Sequence, residues 1–382
     1  MPWRQTDPVR ERLRFVALHQ EGLYSLTTLS ARFGVSRQTG YETLERYERL
    51  GVDGLKNGSH APLSCPHKIS DEVGALLLAA RGAHPTWGPR KILAWLAPRH
   101  PGISLPAAST VGDLYSREGL VAPRQRQRRW SQPGRTLVGV NAANDLWTID
   151  FKGEFRTRDG RHCYPLTMAD AHTRFLLAVD GLSSTGHAGA REVVERVFRE
   201  YGVPGVIRSD NGPPFVTKAI AGLSRLNVWW AQLGIRHDRI APKRPDQNGS
   251  HERMHRTLKA ETVWPPAPNA EVQQERFDAF RHEFDFERPH EAIEMKTPGS
   301  LYVPSARELP TCLPEPEYPG HCVVRQVRAN GILYFRDREQ FLSELLIGHR
   351  IGLEEIADGV WSIYFYDLLL ARFDERTGKL SG

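Results

Sequence analysis

GVIRSDNG (residues 205–212) and RPDQNGSHERMHRTLK (residues 244–259) are the two stretches that decide how this chain folds. The first is a short apolar run, typical of a strand, that reaches Asp210 directly before an Asn-Gly turn. The second is a turn rich in Pro, Asn and Gly that leads into a helical pattern. Strand ends are where α/β enzymes place their chemistry, so the acid that follows the apolar run is a candidate functional residue.

The helical pattern separates a polar face from an apolar face. At about 3.6 residues per turn, Glu252, Arg256 and Lys259 share one face, whereas Met254 and Leu258 lie on the far side. The sequence therefore predicts an acid on an open helical face, with cations beside it.

A third acid lies in DLWTIDFK (residues 145–152), where alternating apolar residues indicate a strand with Asp150 in its middle. Hard divalent cations take several oxygen ligands, and two-metal sites hold their ions roughly 4 Å apart with shared carboxylates. Asp150, Asp210 and Glu252 would be sufficient for such a site.

Three sequence blocks resemble the signature blocks of the DDE transposases and retroviral-type integrases, in the bacterial insertion-sequence branch. They are WTID (147–150), SDNG (209–212) and QNGSHER (247–253). FERPHEA (286–292) and the following Thr297-Pro298 resemble the segment just after the catalytic core of that family. The resemblance covers most of the chain.

The resemblance implies a ribonuclease-H-like core in which adjacent first and fourth strands bring Asp150 next to Asp210, while Glu252 approaches from a later helix. It implies that these three acids are both the catalytic residues and the metal ligands, with Mg²⁺ as cofactor and Mn²⁺ as a substitute. The expected activity is a transposase that cleaves and joins double-stranded DNA, with transposon ends and target as partners. Because two ends must be joined, we expect at least a homodimer on DNA.

Two other functions stay open on the sequence. A domesticated relative could act as a DNA-binding regulator without catalysis, and a metal-dependent nuclease could cut DNA without strand transfer. One departure from the family also matters, because the 41 residues between Asp210 and Glu252 are more than is usual. We expect the extra residues to be looped out near residues 224–230.

Basic charge is concentrated in the first part of the chain. Residues 1–144 hold 20 Lys and Arg against 11 Asp and Glu, whereas residues 145–382 hold 31 against 34. A basic excess supplies the salt-dependent, sequence-independent part of DNA affinity. We therefore expect the amino-terminal part to be the main DNA-binding region, with a merely solvated basic surface as the alternative.

Residues 1–58 show three helical patterns with the spacing of a helix-turn-helix domain. The second helix stops at Gly34, and Ala31 is expected where the helices cross closely. Side chains at the start of the third helix can read base edges in the major groove; they are Arg37, Gln38 and Thr39. An ordinary three-helix bundle is the alternative.

Two further segments precede the core. Residues 68–122 are predicted to form a second helical DNA-binding module, with a plain spacer domain as the alternative. Residues 123–143 form a basic linker whose arginines can track phosphates or enter a minor groove; they are Arg124, Arg126, Arg128 and Arg129. A solvated interdomain tether is the alternative for this linker.

The fold class predicted for the whole chain is multidomain. After the helical modules, residues 144–300 are expected to form an α/β ribonuclease-H-like DDE core with a mixed five-stranded sheet. Residues 318–382 are expected to form a small β-barrel, and because this end is not basic we expect it to contact protein rather than DNA.

The expected DNA contacts near the core acids are basic side chains before and on the catalytic helix, namely Lys243, Arg244, Arg253, Arg256 and Lys259. His251 and His255 are four residues apart and could share a zinc ion. No third soft ligand lies nearby in the sequence, so a zinc site is not expected.

Several protein classes are not supported by the sequence. No apolar run approaches the roughly 20 residues of a membrane span, and the start of the chain lacks a signal-peptide pattern. We therefore expect a cytoplasmic protein with no membrane partner. The four cysteines form no CxxC pair, which favours neither a disulfide framework nor a zinc finger.

Overall fold

Residues 7–58, 69–121, 140–241 and 249–381 are described by a computed structural model of the chain. The chain divides into two units, Met1–Ile69 and Ser70–Gly382. None of the helices in the described ranges has the length and apolar character needed to cross a membrane.

The first unit consists of three helices, α1 (Pro8–Gln20), α2 (Leu26–Phe33) and α3 (Arg37–Leu50), and a 3₁₀ turn (Gly51–Leu55). Ser25 and Ser36 cap the second and third helices, because each side chain accepts a backbone N–H of the first turn. Gly34 ends α2 with a φ of 67°, a conformation that glycine adopts at little cost. The predicted helix-turn-helix spacing is confirmed.

The closest helix crossing in this unit lies at Gly40 of α3. A Cβ built there would be 2.9 Å from the hydroxyl oxygen of Ser30 and 3.0 Å from the ring of Phe15. Ala31 is exposed, so the expectation that it lies at the crossing is wrong. The buried pair Leu29 and Ser30 faces the core instead, and the next residue along the helix turns about 100° away from it.

The second unit begins with helices α4 (Asp71–Ala83), α5 (Pro89–Leu96) and α6 (Ala108–Arg117). Leu77, Ile92 and Val111 are fully buried between them. The Tyr115 hydroxyl donates a hydrogen bond of 3.0 Å to the Leu77 carbonyl. These contacts form the small core that holds the three helices together.

A mixed sheet forms the centre of the second unit. Its strands are β1 (Leu146–Phe151), β2 (Phe155–Arg156), β3 (His162–Asp170), β4 (Leu176–Leu182), β5 (Val206–Ser209) and β6 (Arg236–Arg239). The order is β4-β3-β1-β5-β6; β1 is antiparallel to β3 and parallel to β5, and β5 is parallel to β6. The predicted mixed sheet is therefore present, and the two-residue strand β2 is added beside β3.

Helices cover the sheet: α7 (His187–Tyr201), α8 (Arg225–Gln232), α9 (Gly249–Leu258) and α10 (Ala270–His282), with π-helical turns at Lys259–Val263 and Glu283–Glu287. Trp229 and Trp230 of α8 are buried in the same core as Trp147 of β1. The expectation that residues 224–230 are looped out is therefore wrong, since Ser224 caps a buried helix there. Apolar residues in a helical phase stabilise the extra segment by burial.

Short strands make up the carboxyl-terminal part: β7 (Val323–Gln326), β8 (Ile332–Phe335), β9 (Arg338–Phe341), β10 (Arg350–Ala357), β11 (Val360–Phe365), β12 (Leu368–Asp374) and β13 (Lys379–Ser381). They form a five-stranded sheet in the order β13-β12-β11-β10-β7 and a separate β8-β9 pair. Both sheets contribute to one apolar core that includes Phe335, Ile363 and Phe373. The predicted strands are present, but closure into a barrel is not shown.

The remaining short helices are 3₁₀ turns at Ile220–Gly222, Glu291–Ile293, Pro298–Ser300 and Glu344–Leu346. The turn at Pro298–Ser300 begins at the proline of Thr297-Pro298, which resembles part of the segment just after the family's catalytic core.

Candidate active site

Parallel pairing of β1 with β5 brings Asp150 and Asp210 together. Thr148 pairs with Arg208 in the register of these strands, and each acid lies two residues beyond that pair. Residues at the same offset on neighbouring strands lie side by side and face the same side of the sheet. Asp150 is half-buried within its strand, whereas Asp210 is exposed just after its strand ends.

Glu252 reaches the same place from α9. Its side chain and those of Arg256 and Lys259 line one cleft of about 430 Å³, together with Asp150 and Lys152. Met254 and Leu258 are buried on the opposite side of the helix. The polar and apolar faces predicted from the sequence are therefore the faces that the structure exposes and buries.

The charges of Asp210 and Glu252 act on the carboxyl group of Asp150. The pKa of Asp150 is raised to about 7, mainly by burial, then by the charge of Asp210, and by a smaller amount through the charge of Glu252. The Phe151 N–H and the Lys152 ammonium act in the other direction. Negative charges held this close favour a bound cation, because a cation relieves their mutual repulsion.

The chemistry of this donor set fits a hard divalent metal ion. Each of the three side chains offers carboxylate oxygens, which Mg²⁺ and Mn²⁺ accept as ligands. Two of the acids, Asp210 and Glu252, are exposed, so an ion could retain water molecules and also contact a substrate. These residues could therefore hold a metal at the mouth of the cleft.

A second set of metal-compatible atoms lies next to the first. Asp150, His251 and His255 offer ligand atoms within 4.8 Å of one another. Both ring nitrogens of His251 are already engaged, however, by Thr148 at 2.7 Å and Thr167 at 2.6 Å. The Nε2 atom of His255 lies 2.7 Å from the Thr167 hydroxyl. Three of the four imidazole nitrogens are thus hydrogen-bonded to protein, which favours a structural role for the pair.

The proton positions in this network follow from its partners. In the arrangement where the Thr167 hydroxyl donates to the Asp150 carbonyl at 3.1 Å, His251 and His255 each donate an Nε2–H to its oxygen. The Nδ1 atom of His251 then accepts the Thr148 hydroxyl. What remains is the Nδ1 lone pair of His255, which faces an Asp150 carboxylate oxygen at 3.9 Å.

Burial keeps both imidazoles neutral. It lowers the pKa of His251 to about 3. Burial, together with the neighbouring His251 and Lys152, lowers the pKa of His255 to about 2. Neutral rings suit the assigned hydrogen bonds, because a protonated ring would have no acceptor nitrogen. The network ties α9, which carries Glu252, to β1 and β3.

The structure accounts for the other candidate residues as follows. Arg37, Gln38 and Thr39 are exposed on the first turn of α3, and Gln38 contacts Glu42 at 3.1 Å. Arg253 and Arg256 are exposed on α9, and Lys259 is exposed at the start of the π-helical turn that follows it. Six predicted DNA-contact residues lie outside the described residues, namely Arg124, Arg126, Arg128, Arg129, Lys243 and Arg244.

Sequence reasoning missed Thr148 and Thr167 as supports of the site. Their signal in the sequence is weak, because threonine is a common residue in β-strands. The spacing of His251 and His255, taken by itself, suggests a shared zinc ion and no other role for the pair. Two buried histidines on a helix that also carries an exposed acid could have indicated a hydrogen-bonding network instead.

Comparisons with known families identify the two kinds of domain. The family profile "Integrase core domain" matches residues 140–245, and a second profile of the same description matches residues 233–298. "Homeodomain-like domain" profiles match residues 6–56 and 39–115. These matches confirm the resemblance drawn from the sequence blocks, an integrase core preceded by helix-turn-helix domains.

Insertion-element proteins of bacteria are among the similar sequences. The insertion element IS476 uncharacterized 39.2 kDa protein of Xanthomonas euvesicatoria is 28% identical over 61% of this chain and 64% of that protein. The insertion element IS407 uncharacterized 31.7 kDa protein of Burkholderia multivorans is 27% identical over 49% of this chain and 66% of that protein.

Retroviral proteins are also similar over the core. The Gag-Pol polyprotein of baboon endogenous virus is 30% identical over 41% of this chain but only 9% of its own length. The chain thus spans less than two thirds of each of these three relatives. Among solved structures, the HTLV-2 integrase catalytic core domain in complex with magnesium aligns over 42% of this chain and 98% of that chain, with 14% identity and a TM-score of 0.34. That likeness is too distant to carry an argument.

Proposed function

We propose that this chain, which carries an integrase core behind homeodomain-like helices, is a bacterial insertion-sequence transposase of the DDE type. Its proposed reaction is cleavage of transposon ends and their transfer to target DNA. The observation that carries the proposal is the proximity of acids from three elements. Asp150 of β1 and Glu252 of α9 line an open cleft that also contains cations, and Asp210 follows β5 beside Asp150, whose pKa its charge raises.

The proposed cofactor is Mg²⁺, with Mn²⁺ as a substitute, held by Asp150, Asp210 and Glu252. When bound, such ions activate a water or a 3′-hydroxyl and stabilise the leaving oxygen. No covalent protein nucleophile is needed, so a DNA end can be cut and joined at one site. This separates the proposed class from recombinases that use tyrosine or serine.

The chain's own side chains would bind and orient the DNA. Arg256 and Lys259 lie on the same face of α9 as Glu252 and would contact phosphates on either side of the reacting bond. The network of His251, His255 and two threonines would keep Glu252 in register with the strand acids. Side chains that are already held in their reacting positions lower the activation barrier, because they need not rearrange during the reaction.

Double-stranded DNA is the proposed partner of the helical modules. The exposed start of α3, with Arg37, Gln38 and Thr39, is the proposed reader of terminal repeats. A reaction that joins two ends needs a site at each, so we propose at least a dimer on DNA. The limits 1–58, 68–122, 123–143, 144–300 and 318–382 are the proposed domains, and the carboxyl-terminal sheets, as a small barrel, would contact protein.

The test uses labelled DNA that carries the terminal repeats flanking the gene, incubated with the full chain and Mg²⁺ or Mn²⁺. Joined products that disappear in Asp210→Asn support the transposase. Asp180→Asn is the matched control, since Asp180 is an acid of β4 that pairs with Arg196 at 2.6 Å outside the cleft. Hydrolysis without joining would favour a nuclease, and tight binding without chemistry would favour a regulator.

A further inference from the structure

A second groove runs along α9, on the helix face next to the one that carries Glu252. Its volume is about 250 Å³, and its walls include Lys91 of α5, Arg174 of the β3–β4 turn and Arg253 of α9. We call this feature the basic groove and define it by these three cations. They come from three separate elements, so it is the fold that gathers them.

The α4–α6 helices are fixed to the catalytic core at this place. Trp87, just before α5, is fully buried and stacks on His84 with ring centroids 3.9 Å apart. The Arg288 guanidinium lies 5.6 Å from the Trp87 ring, and the Thr86 hydroxyl donates to Glu261. Lys91 lies in the first turn of α5, directly after this anchor, so its position relative to α9 is set by packing.

Arg288, which also borders the groove, is a cation whose charge is paired with carboxylates. It is buried, and it donates to Glu261 at 2.6 and 2.7 Å and to Glu283 at 3.2 Å. Within the part of the chain that the structure describes, the charged groups of Lys91 and Arg174 have no carboxylate within 4.0 Å, and these side chains make no hydrogen bond. The nearby Asp170 is committed elsewhere, since it accepts the N–H groups of Asn144 and Thr173 at 2.8 and 2.7 Å.

The cations of the groove are close enough to affect one another. Burial lowers the pKa of Lys91, and the charge of Arg288 lowers it further. Burial and then Arg253 lower the pKa of Arg174 in the same way. Acids lie near as well: Glu291 also lines the groove, the charges of Glu291 and Glu261 raise the pKa of Lys91, and the charge of Asp170 raises that of Arg174. The lining nevertheless holds more cations than acids, with Lys91, Arg174, Arg253 and Arg288 against Glu291. Because buried charges in proteins are normally paired, such an excess of positive charge favours an anion.

We propose that the basic groove binds a phosphodiester of a DNA strand that leaves the carboxylate cleft across α9. This inference rests on the proposed function. A duplex presents a phosphate about every 3.4 Å along each strand, so DNA that reacts beside Glu252 passes the neighbouring helix face. Arg174 supplies a fork suited to two phosphate oxygens, and Lys91 supplies a compact charge.

The test measures affinity of the full chain for a labelled duplex over a range of KCl concentrations, with Ca²⁺ in place of Mg²⁺ so that binding is read without reaction. Each phosphate contact contributes about 0.9 to the slope of log affinity against log salt. We expect Lys91→Gln and Arg174→Gln each to reduce that slope by about 1 and to weaken binding several-fold across all sequences. Lys91→Arg keeps the charge and should keep the slope.

Arg199→Gln is the matched control, because Arg199 of α7 is exposed and already paired with Glu195. It removes the same charge and should leave the slope unchanged. Unchanged slopes in both groove variants, or an equal fall in the control, would overturn the proposal. Should Arg174→Gln fail to fold, the comparison of Lys91→Gln with Lys91→Arg decides alone.

Inorganic phosphate distinguishes a free-anion site from a DNA site. Competition by millimolar phosphate in wild type but not in Lys91→Gln, together with an unchanged duplex slope, would assign the groove to a small anion and overturn the DNA claim. Failure of wild type to join DNA ends with Mg²⁺ would remove the proposed transposase. It would leave the salt measurement in Ca²⁺ readable, so the two failures are distinguishable.

Discussion

The open and the buried faces of α9 carry opposite kinds of side chain. On the open face, Glu252, Arg256 and Lys259 line the cleft, and none of them supports the fold. On the buried face, Met254 packs against aromatic residues of α10, and His251 and His255 bond to threonines of two strands. One helix therefore separates the residues that we propose contact DNA from the residues that fix their position.

This contrast has a consequence for how the two faces respond to substitution. Changes on the open face should alter activity or DNA affinity while the free energy of unfolding stays the same. Changes on the buried face should lower the free energy of unfolding and should slow the reaction only as far as Glu252 moves. A substitution that mixes the two outcomes would weaken the contrast.

The largest effect is expected for Glu252→Gln. Loss of one metal ligand should remove about 4 kcal/mol of transition-state stabilisation, which is roughly a thousandfold in the rate of end joining. Its urea midpoint should match wild type, because Glu252 is exposed. A joining rate within tenfold of wild type would show that this acid is not part of the site.

Met254→Ala should have the next largest effect, and on stability instead. Met254 is 6% exposed and packs near Phe280 and Phe284, so truncation leaves a cavity that costs about 3 kcal/mol. Urea denaturation of the full chain, followed through the tryptophans, measures this loss. Unchanged stability combined with lost joining would contradict the assignment of this face to support.

Thr167→Val should cost about 2 kcal/mol, because it leaves the Nε2–H groups of two buried histidines without an acceptor. Thr148→Val is the matched comparison and should cost less, since it removes a partner of one histidine, His251, rather than of two. Joining should slow in parallel with the stability loss. Equal effects of the two substitutions would argue against the shared role of the Thr167 hydroxyl.

Arg256→Gln is expected to have the smallest effect. The loss of one exposed phosphate contact should weaken duplex binding several-fold and reduce the salt slope by about 1. Stability should stay within about 0.5 kcal/mol of wild type. The same salt titration that tests the basic groove measures this change, and a slope equal to that of wild type would remove Arg256 from the DNA-binding face.

Much of the fold could be predicted from the sequence because its signals are local. The strand that carries Asp150, the strand end at Asp210 and the two faces of α9 follow from alternation, turn residues and helical phase. The adjacency of β1 and β5 does not follow from any local signal. It came only from the family resemblance, since strand order depends on contacts between residues far apart in the chain.

The predictions that failed depended on such contacts. A loop is expected at residues 224–230 because the segment between Asp210 and Glu252 is longer than is usual in the family. Burial of Trp229 and Trp230 instead stabilises these residues as a helix. Ala31 was expected at a helix crossing because it is small, yet the crossing is at Gly40. Thr148 and Thr167 could not be recognised as supports, because threonine is common in strands and their partner His251 lies 103 and 84 residues away in the sequence.

The central claim is that the metal is held by carboxylates from three elements rather than by Asp150 and the histidines. Iron-mediated cleavage tests it: Fe²⁺ replaces Mg²⁺ in the full chain, ascorbate generates radicals at the bound ion, and mass spectrometry maps the backbone cuts. We predict cuts near Asp150, Asp210 and Glu252 that all disappear in Asp210→Asn. Cuts confined to Asp150 and residues 251–255 that persist in Asp210→Asn would contradict the account.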